Sequence, residues 1–142
     1  MSAGGEKSFV FFPLGSKRFA FHAEDVTELA KPDRLQVFPH RTGLLAGVLV
    51  RRGRIVPVLD VAQILVGPDA PARKFYLIVN RRYSGRQEWT AIPVTGECEL
   101  ANAEPMLPSG KMPSYVTGLL ALNNEVVEVV SLEKLLSEGG TA

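Results

Sequence analysis

The stretch GVLVRRGRIVPVLD, Gly47–Asp60, has the most regular strand pattern in the chain. Two runs rich in β-branched residues, Val48–Val50 and Ile55–Leu59, flank a polar turn that contains Gly53, and this arrangement predicts a β-hairpin. Glycine supplies the positive φ that such a turn needs. Because Pro57 has no backbone N–H to donate, the second run is expected at a sheet edge or a bulge.

A second hairpin is predicted by a repeat. The pentapeptide TGLLA occurs at Thr42–Ala46 and again at Thr117–Ala121, and the strand Ile55–Leu59 after the first copy matches Val126–Val130 after the second. This repeat predicts one hairpin–helix unit built twice, with a longer, arginine-bearing turn in the first unit. The second unit is expected to turn at Asn123-Asn124, because asparagine tolerates the left-handed backbone conformation.

Asp60 and Ser131 hold the same place in the two units, directly before the short apolar stretches Val61–Leu65 and Leu132–Leu136. Aspartate and serine are preferred helix N-caps, because a side-chain oxygen accepts a free backbone N–H of the first turn. Both residues are therefore expected to cap short helices. A catalytic role for the Asp60 carboxylate is the weaker interpretation, since serine holds the equivalent place.

The remaining apolar segments also have the short, β-branched or alternating character of strands. With the two hairpins they give about ten strands, and repeated hairpin–helix units of this kind favour two small β-barrels packed together. A proline-rich segment with little periodicity spans residues 97–114. The predicted strands outside the two hairpins are Phe9–Leu14, Arg18–His22, Val26–Ala30, Arg34–Phe38, Lys74–Asn80 and Glu88–Val94.

The composition excludes several classes of protein. No apolar run approaches the roughly 20 residues of a membrane-spanning helix, and the net charge of +1 gives no overall attraction to nucleic acid or anionic lipid. The single cysteine, Cys98, favours a reducing cytosolic compartment and a packing role. His22 and His40 have no ligands at metal spacing, so no metal is expected. The sequence also lacks phosphate-loop and nucleophile motifs, so it predicts neither a cofactor nor catalysis.

Arg51, Arg52 and Arg54 are the densest charge in the sequence and surround the tip of the first hairpin. Strand alternation predicts that Arg52 points away from Arg51 and toward the acidic segment that contains Glu28, so an Arg52–Glu28 ion pair is expected. Docking to other proteins through exposed strand faces is the favoured function. One alternative is nucleic-acid binding by the tip with RRYSGR at residues 81–86, and another is a ligand-binding barrel or small enzyme.

Four segments together resemble the CheW-type family of chemotaxis adaptors. They are FVFFPLGSKRFAF at Phe9–Phe21, VTEL at Val26–Leu29, GVLVRRGRIVPVLDV at Gly47–Val61 and YVTGLLALNNEVVEVVSLEKLL at Tyr115–Leu136. The most specific part is the order and spacing of Gly47, Arg52, Gly53, Ile55, Val56, Pro57 and Asp60. The resemblance implies an all-β fold of two five-stranded SH3-like barrels around a shared hydrophobic core, with short capping helices.

The resemblance also implies partners. Proteins of this type bridge the regulatory domain of the histidine kinase CheA and the cytoplasmic tips of chemoreceptors, without catalysis. The receptor tip is expected in a groove between the barrels, and the implied location is cytoplasmic, with recruitment to membrane-associated receptor arrays. The residues matching the family's kinase-facing positions are Val26, Glu28, Gly47 and Arg52, with Arg51 and Arg54 as additional contacts.

The likeness covers nearly the whole chain and predicts a single domain over residues 8–138. Approximate subdomains are expected at 15–72 and 73–136, with exchange of the terminal strands between them left open. Flexible tails are expected at 1–7 and 139–142.

The chain departs from the family pattern at Val50 and Arg51, where the family usually has Asn and Leu before the Arg-Gly turn. It also lacks the usual acidic residue near Pro93-Val94, and residues 81–113 match loosely. These departures favour a divergent adaptor of an alternative signalling array, such as one controlling pili or surface motility.

Overall fold

A computed structural model of the chain describes residues 5–31, 44–67, 72–83, 85–108 and 110–138. The predicted strand Arg34–Phe38 and His40 lie outside these ranges, as do Thr42 and the residues after 138. Lys7, at the end of the predicted N-terminal tail, is already the first residue of a strand.

Strands dominate the described part of the chain, as the sequence predicts. The helices are short, α1 at Ala62–Leu65 and α2 at Leu132–Glu138, and a 3₁₀ turn at Ala23–Asp25 precedes the third strand. The strands are β1 Lys7–Leu14, β2 Lys17–His22, β3 Val26–Ala30, β4 Leu45–Arg51, β5 Arg54–Leu59, β6 Phe75–Tyr83, β7 Arg86–Val94, β8 Glu99–Ala103, β9 Val116–Leu122 and β10 Glu125–Val130.

These strands form two five-stranded sheets with the orders β8-β1-β2-β10-β9 and β3-β6-β7-β5-β4. Each sheet has one parallel pairing, between β2 and β10 in the first sheet and between β5 and β7 in the second. The other neighbouring strands are antiparallel. The second sheet uses a single run of the chain, from β3 to β7. The first sheet combines β1 and β2 with β8, β9 and β10, so strand membership crosses the boundary predicted at residues 72 and 73. The division into subdomains stays a prediction.

The hairpins β4–β5 and β9–β10 are built on one plan. Gly47 faces Val58 in the first hairpin, and Gly118 faces Val129 in the second, 71 positions further on in each strand. Each hairpin has an irregularity in its register at the same place, before Gly47 and before Gly118. The repeat predicted from the sequence is therefore a structural repeat.

The two identical TGLLA pentapeptides do not occupy equivalent positions in the two hairpins. When Gly47 is matched to Gly118, Thr117–Ala121 corresponds to Ala46–Val50 and not to the identical string Thr42–Ala46. Both hairpins then turn over two residues, so the longer turn predicted for the first hairpin is wrong. The property that the two segments share is a glycine followed by an apolar strand, and the identity of five letters is a coincidence of composition.

Alternate residues of the central strands point into different cores. In β1, Phe9 and Phe11 fill the inside of the first sheet, whereas Phe12 and Leu14 face the second sheet. β6 behaves likewise, so the hairpins β1–β2 and β6–β7 are buried on both faces and pack back to back. The core that they share with the helices includes Phe12, Leu14, Phe19, Phe21, Leu77, Val79, Ile92, Val94, Val61, Leu132 and Leu135.

Each sheet closes into a small barrel. In the first sheet, Met106, just after edge strand β8, and Leu119 of edge strand β9 exchange two backbone hydrogen bonds of 2.8 Å. In the second sheet, Glu28 of edge strand β3 forms an ion pair with Arg51 of edge strand β4. The predicted fold, two five-stranded barrels around a shared core, is confirmed.

Three local expectations have different outcomes. Ser131 caps α2 as predicted, because its Oγ accepts a hydrogen bond from the Lys134 N–H at 3.3 Å. Asp60 is not a side-chain cap: Val61 holds the N-cap position of α1, and the Asp60 carboxylate lies buried in an ion pair with Arg73. A buried carboxylate is stabilised by a cation, and the Arg73 guanidinium supplies it here. Pro57 lies in an inner strand, not at an edge, but β5 meets β7 only through Val58, so the missing N–H interrupts little pairing.

Candidate functional site

The candidate site is the end of the second barrel where the β4–β5 turn meets β3. There the Glu28 carboxylate accepts hydrogen bonds from two arginines. Arg51 donates from Nε at 2.7 Å and from Nη2 at 3.1 Å, which is a two-point contact with both carboxylate oxygens. Arg52 donates from Nη2 at 3.1 Å, and its Nε is 3.5 Å away. The Arg52–Glu28 pair predicted from the sequence is confirmed, and Arg51 joins it.

The prediction that Arg51 and Arg52 point to opposite sides is wrong. Alternation holds only within a strand, and β4 ends at Arg51. Arg52 has φ 53° and Gly53 has φ 76°, so both are in the left-handed region of a tight turn. This turn rotates the Arg52 side chain back toward Glu28, where it joins its neighbour on the same carboxylate.

The two arginines change the acidity of Glu28. The side chain of Glu28 is only 16% exposed. Hydrogen bonds from Arg51 and then Arg52 lower the pKa of its carboxyl from the ordinary 4.5 to about 2, against the opposing effect of burial. Glu28 is therefore a fixed negative charge that orders the turn, not a group that exchanges protons near neutral pH.

The outer face of the same hairpin is apolar. Val50 and Ile55 are cross-strand partners one step from the turn, and they are 60% and 74% exposed. Beside them the Arg54 guanidinium lies 4.3 Å from the centre of the Trp89 ring on β7, a cation–π contact. A shallow recess of about 400 Å³ is lined by Arg54, Ile55, Pro57, Gln87, Glu88 and Trp89. Sequence reasoning missed Trp89, because its contact with Arg54 depends on the parallel neighbours β5 and β7.

The other two predicted kinase-facing residues lie deeper in the barrel. Val26 is half-buried, pairs with Val79 and packs against the shared core. Gly47 is buried in β4 opposite Val58. These two residues shape the barrel wall, whereas Glu28, Arg51, Arg52 and Arg54 come together at its end.

The matching end of the first barrel has the opposite charge arrangement. Arg18 donates to Glu99 at 3.2 Å and to Glu125 at 2.6 Å, and it lies over the Phe11 ring. Glu125 is the first residue after its turn, the place that Arg54 holds in the second barrel. One end therefore holds one arginine between two carboxylates, and the other holds one carboxylate between two arginines.

The remaining hypotheses gain no support at this end. The three arginines at the tip that were expected to bind nucleic acid contact Glu28 or Trp89, and Glu88 lines the recess beside Arg54. Among the described residues, no group of His, Cys, Asp and Glu is arranged to hold a metal ion. Burial raises the pKa of the Cys98 thiol to about 12, as suits the packing role predicted for it. Within the same ranges, no helix is long and apolar enough to cross a membrane.

The fold is a pair of pseudo-equivalent small barrels, and the second barrel ends in a surface that is both charged and apolar. Comparison with known proteins gives the family of the chain. The family model of the CheW-like domain matches residues 8–95 of the sequence. The chain therefore belongs to the CheW-like family, whose members are scaffold and adaptor proteins of chemotaxis.

Individual relatives cover nearly the whole chain. The chain is 24% identical over 139 residues to a probable chemotaxis protein CheW of Rhizobium etli, covering 94% of this chain and 90% of that protein. It is 25% identical over 139 residues to protein FrzA of Myxococcus xanthus, covering 92% and 86%. Among solved structures, the scaffolding protein TtCheW of Thermoanaerobacter tengcongensis has the same fold, with a TM-score of 0.70 and 19% identity over 92% of each chain.

Proposed function

We propose that this chain is a non-catalytic, cytoplasmic adaptor that couples chemoreceptor tips to a CheA-like histidine kinase. The observation that supports this most directly is the end of the second barrel. There Arg52 is 66% exposed on the same hairpin as the exposed pair Val50 and Ile55, and Glu28 holds the turn in place. A charged group and an apolar pair exposed on one hairpin suit a protein partner.

Membership of the CheW-like family supports the adaptor role, and the resemblance of Glu28 and Arg52 to kinase-facing positions supports the choice of surface. The departures at Val50 and Arg51 support an array other than that of flagellar chemotaxis, such as one for pili or surface motility. In this proposal the protein joins receptor arrays at the membrane through its partners.

The binding test uses the purified regulatory domain of the kinase and biolayer interferometry. Arg52→Glu and Glu28→Arg are each expected to weaken binding about tenfold or more, because each reverses a charge at the surface or releases the turn. Lys111→Glu is the matched control, since Lys111 is exposed in the segment between β8 and β9 of the first barrel. Binding that tolerates both reversals as well as it tolerates Lys111→Glu would exclude this end as the kinase-facing surface.

The combined variant Glu28→Arg with Arg52→Glu separates two causes of a loss. It again places opposite charges at positions 28 and 52, but it presents a carboxylate to the partner at position 52. Continued loss of binding in this variant, measured at a temperature where circular dichroism shows that it is folded, is expected if Arg52 itself meets the partner.

A further inference from the structure

The two arginines on Glu28 are not equivalent. Arg51 makes the two-point contact at 2.7 and 3.1 Å, and its side chain is 35% exposed. Arg52 has one contact at 3.1 Å and one at the limit of 3.5 Å, and its side chain is 66% exposed. An arginine fork that meets both oxygens of a carboxylate is the stronger arrangement. Arg51 therefore contributes more than Arg52 to the interaction that fixes the Glu28 carboxylate.

Arg51 joins two strands of the sheet, whereas position 52 lies in the turn. Arg51 is the last residue of β4, and its contact with Glu28 of β3 joins the two edge strands of the sheet. Position 52 is the first turn residue, and the equivalent residue in the second hairpin is Asn123, with φ 48°. A left-handed backbone costs a non-glycine residue such as arginine on the order of 1 kcal/mol, and less for asparagine. Closing the turn thus gives no reason for an arginine here.

The surroundings of Arg52 define what it would bind. Val50 and Ile55 are exposed on the same hairpin, and Arg54 is held against Trp89. The matching end of the first barrel shows that this fold can place two carboxylates on one arginine, since Arg18 contacts both Glu99 and Glu125. Arg52 can likewise take a second carboxylate while Glu28 stays with Arg51.

We infer that the two arginines divide the work: Arg51 keeps the barrel closed on Glu28, and Arg52 binds an aspartate or glutamate of the partner. The apolar neighbours of that acidic residue cover Val50 and Ile55. The inference deepens the proposed function and rests on it for the identity of the partner, the regulatory domain of the kinase. It makes Arg52 the residue that determines specificity and Arg51 a positioning residue.

The intramolecular half is tested without any partner. Arg51→Met and Arg52→Met are compared by urea unfolding and by NMR titration of the Glu28 carboxyl. Both variants are expected to move the titration midpoint up from about 2 toward 4.5, and Arg51→Met is expected to move it further than Arg52→Met. Arg51→Met is also expected to lower the unfolding midpoint more than Arg52→Met does. The reverse order in either measurement would overturn the division.

The partner half uses two probes. With a tetraglutamate peptide at low salt, the Nε–Hε signal of Arg52 is expected to shift and that of Arg51 to stay in place. No shift of Arg52, or equal shifts of both, would overturn the inference. With the kinase regulatory domain, Arg52→Met is expected to weaken binding about tenfold and Arg51→Met less than about threefold, at a temperature where both variants are folded. Binding that is insensitive to Arg52→Met would also overturn it.

The two proposals can fail separately. A wild-type chain that does not bind the kinase domain at all removes the proposed function. In that case the tetraglutamate titration still decides whether Arg52 is available to an external carboxylate.

Discussion

Replacing Glu28 by glutamine removes the carboxylate that joins β3 to the β4–β5 turn, and its cost can be worked out from the pKa. The arginines lower that pKa from 4.5 to about 2. At about 1.4 kcal/mol per pKa unit, this corresponds to an upper limit of roughly 3 to 4 kcal/mol in the free energy of unfolding. Arg51 and Arg52 are 35% and 66% exposed, and solvent screening reduces the value. We therefore expect Glu28→Gln to cost about 1–2 kcal/mol at pH 7.

The sign of the pH dependence follows from the direction of the shift. A carboxyl with a depressed pKa in the folded state contributes its stability above pH 4.5 and loses it as the pH falls toward 2. More than half of the difference between wild type and Glu28→Gln should therefore have disappeared by pH 3. The assay is urea unfolding of both proteins between pH 7 and pH 3, with circular dichroism as the measured signal.

The matched control is Glu99→Gln. Glu99 faces Phe11 on β1 as Glu28 faces Ile78 on β6, but its side chain is 74% exposed. An exposed ion pair contributes about 0–1 kcal/mol, so Glu99→Gln should change the free energy of unfolding little at any pH. A Glu28→Gln effect that is constant from pH 7 to pH 3, or no larger than that of the control, would refute the reasoning.

Three further predictions concern the core and the turn. Arg73→Met leaves the buried Asp60 carboxylate without its cation, and about 3 kcal/mol should be lost in urea unfolding at pH 7, with Lys74→Met as the neutral control. Leu135→Ala opens a cavity in the core shared by both barrels and should cost about 2–5 kcal/mol. Its unfolding should remain one transition, the same by Trp89 fluorescence and by circular dichroism, and two separate transitions would contradict the coupling of the barrels. Arg52→Asn should raise the unfolding midpoint slightly, because asparagine accepts the left-handed turn, while it weakens kinase binding; a lowered midpoint would contradict this account.

The fold was predictable because its strands have strong local signals. Apolar runs such as Val56–Leu59 and Leu77–Val79, bounded by polar turns, specify strands whichever neighbour they take. The strand β8, ELANA, was missed because it lies within a proline-rich segment and only Ala103 is buried. Its strand conformation depends on pairing with β1, from which it is separated by most of the chain.

The candidate site was predictable only in part. The Arg52–Glu28 pair followed from the charges and the hairpin pattern, and it is present. The relative directions of Arg51 and Arg52 could not be read from alternation, because that rule stops at the turn in which Arg52 lies. The position of Trp89 beside Arg54 depends on which strand lies parallel to β5, and the sequence contains no local signal for that choice. The identical pentapeptides do not give the register of the repeat, because the spacing to the turn sets which residues of β4 and β9 are equivalent.

The two sheets take their strands from different parts of the chain, and this affects the order in which the two barrels can fold during synthesis. The strands of the second barrel leave the ribosome as one block, so that barrel can close while synthesis continues. The β1–β2 hairpin emerges first but must wait for β8, β9 and β10 before its own barrel exists, and Phe9 and Phe11 have no cover until then. Contacts so distant in sequence form slowly, and exposed aromatic strands are prone to aggregate. In pulsed hydrogen exchange during refolding of the full chain, the amides of β6 and β7 should therefore become protected before those of β9 and β10. The opposite order would show that the first barrel forms before the second.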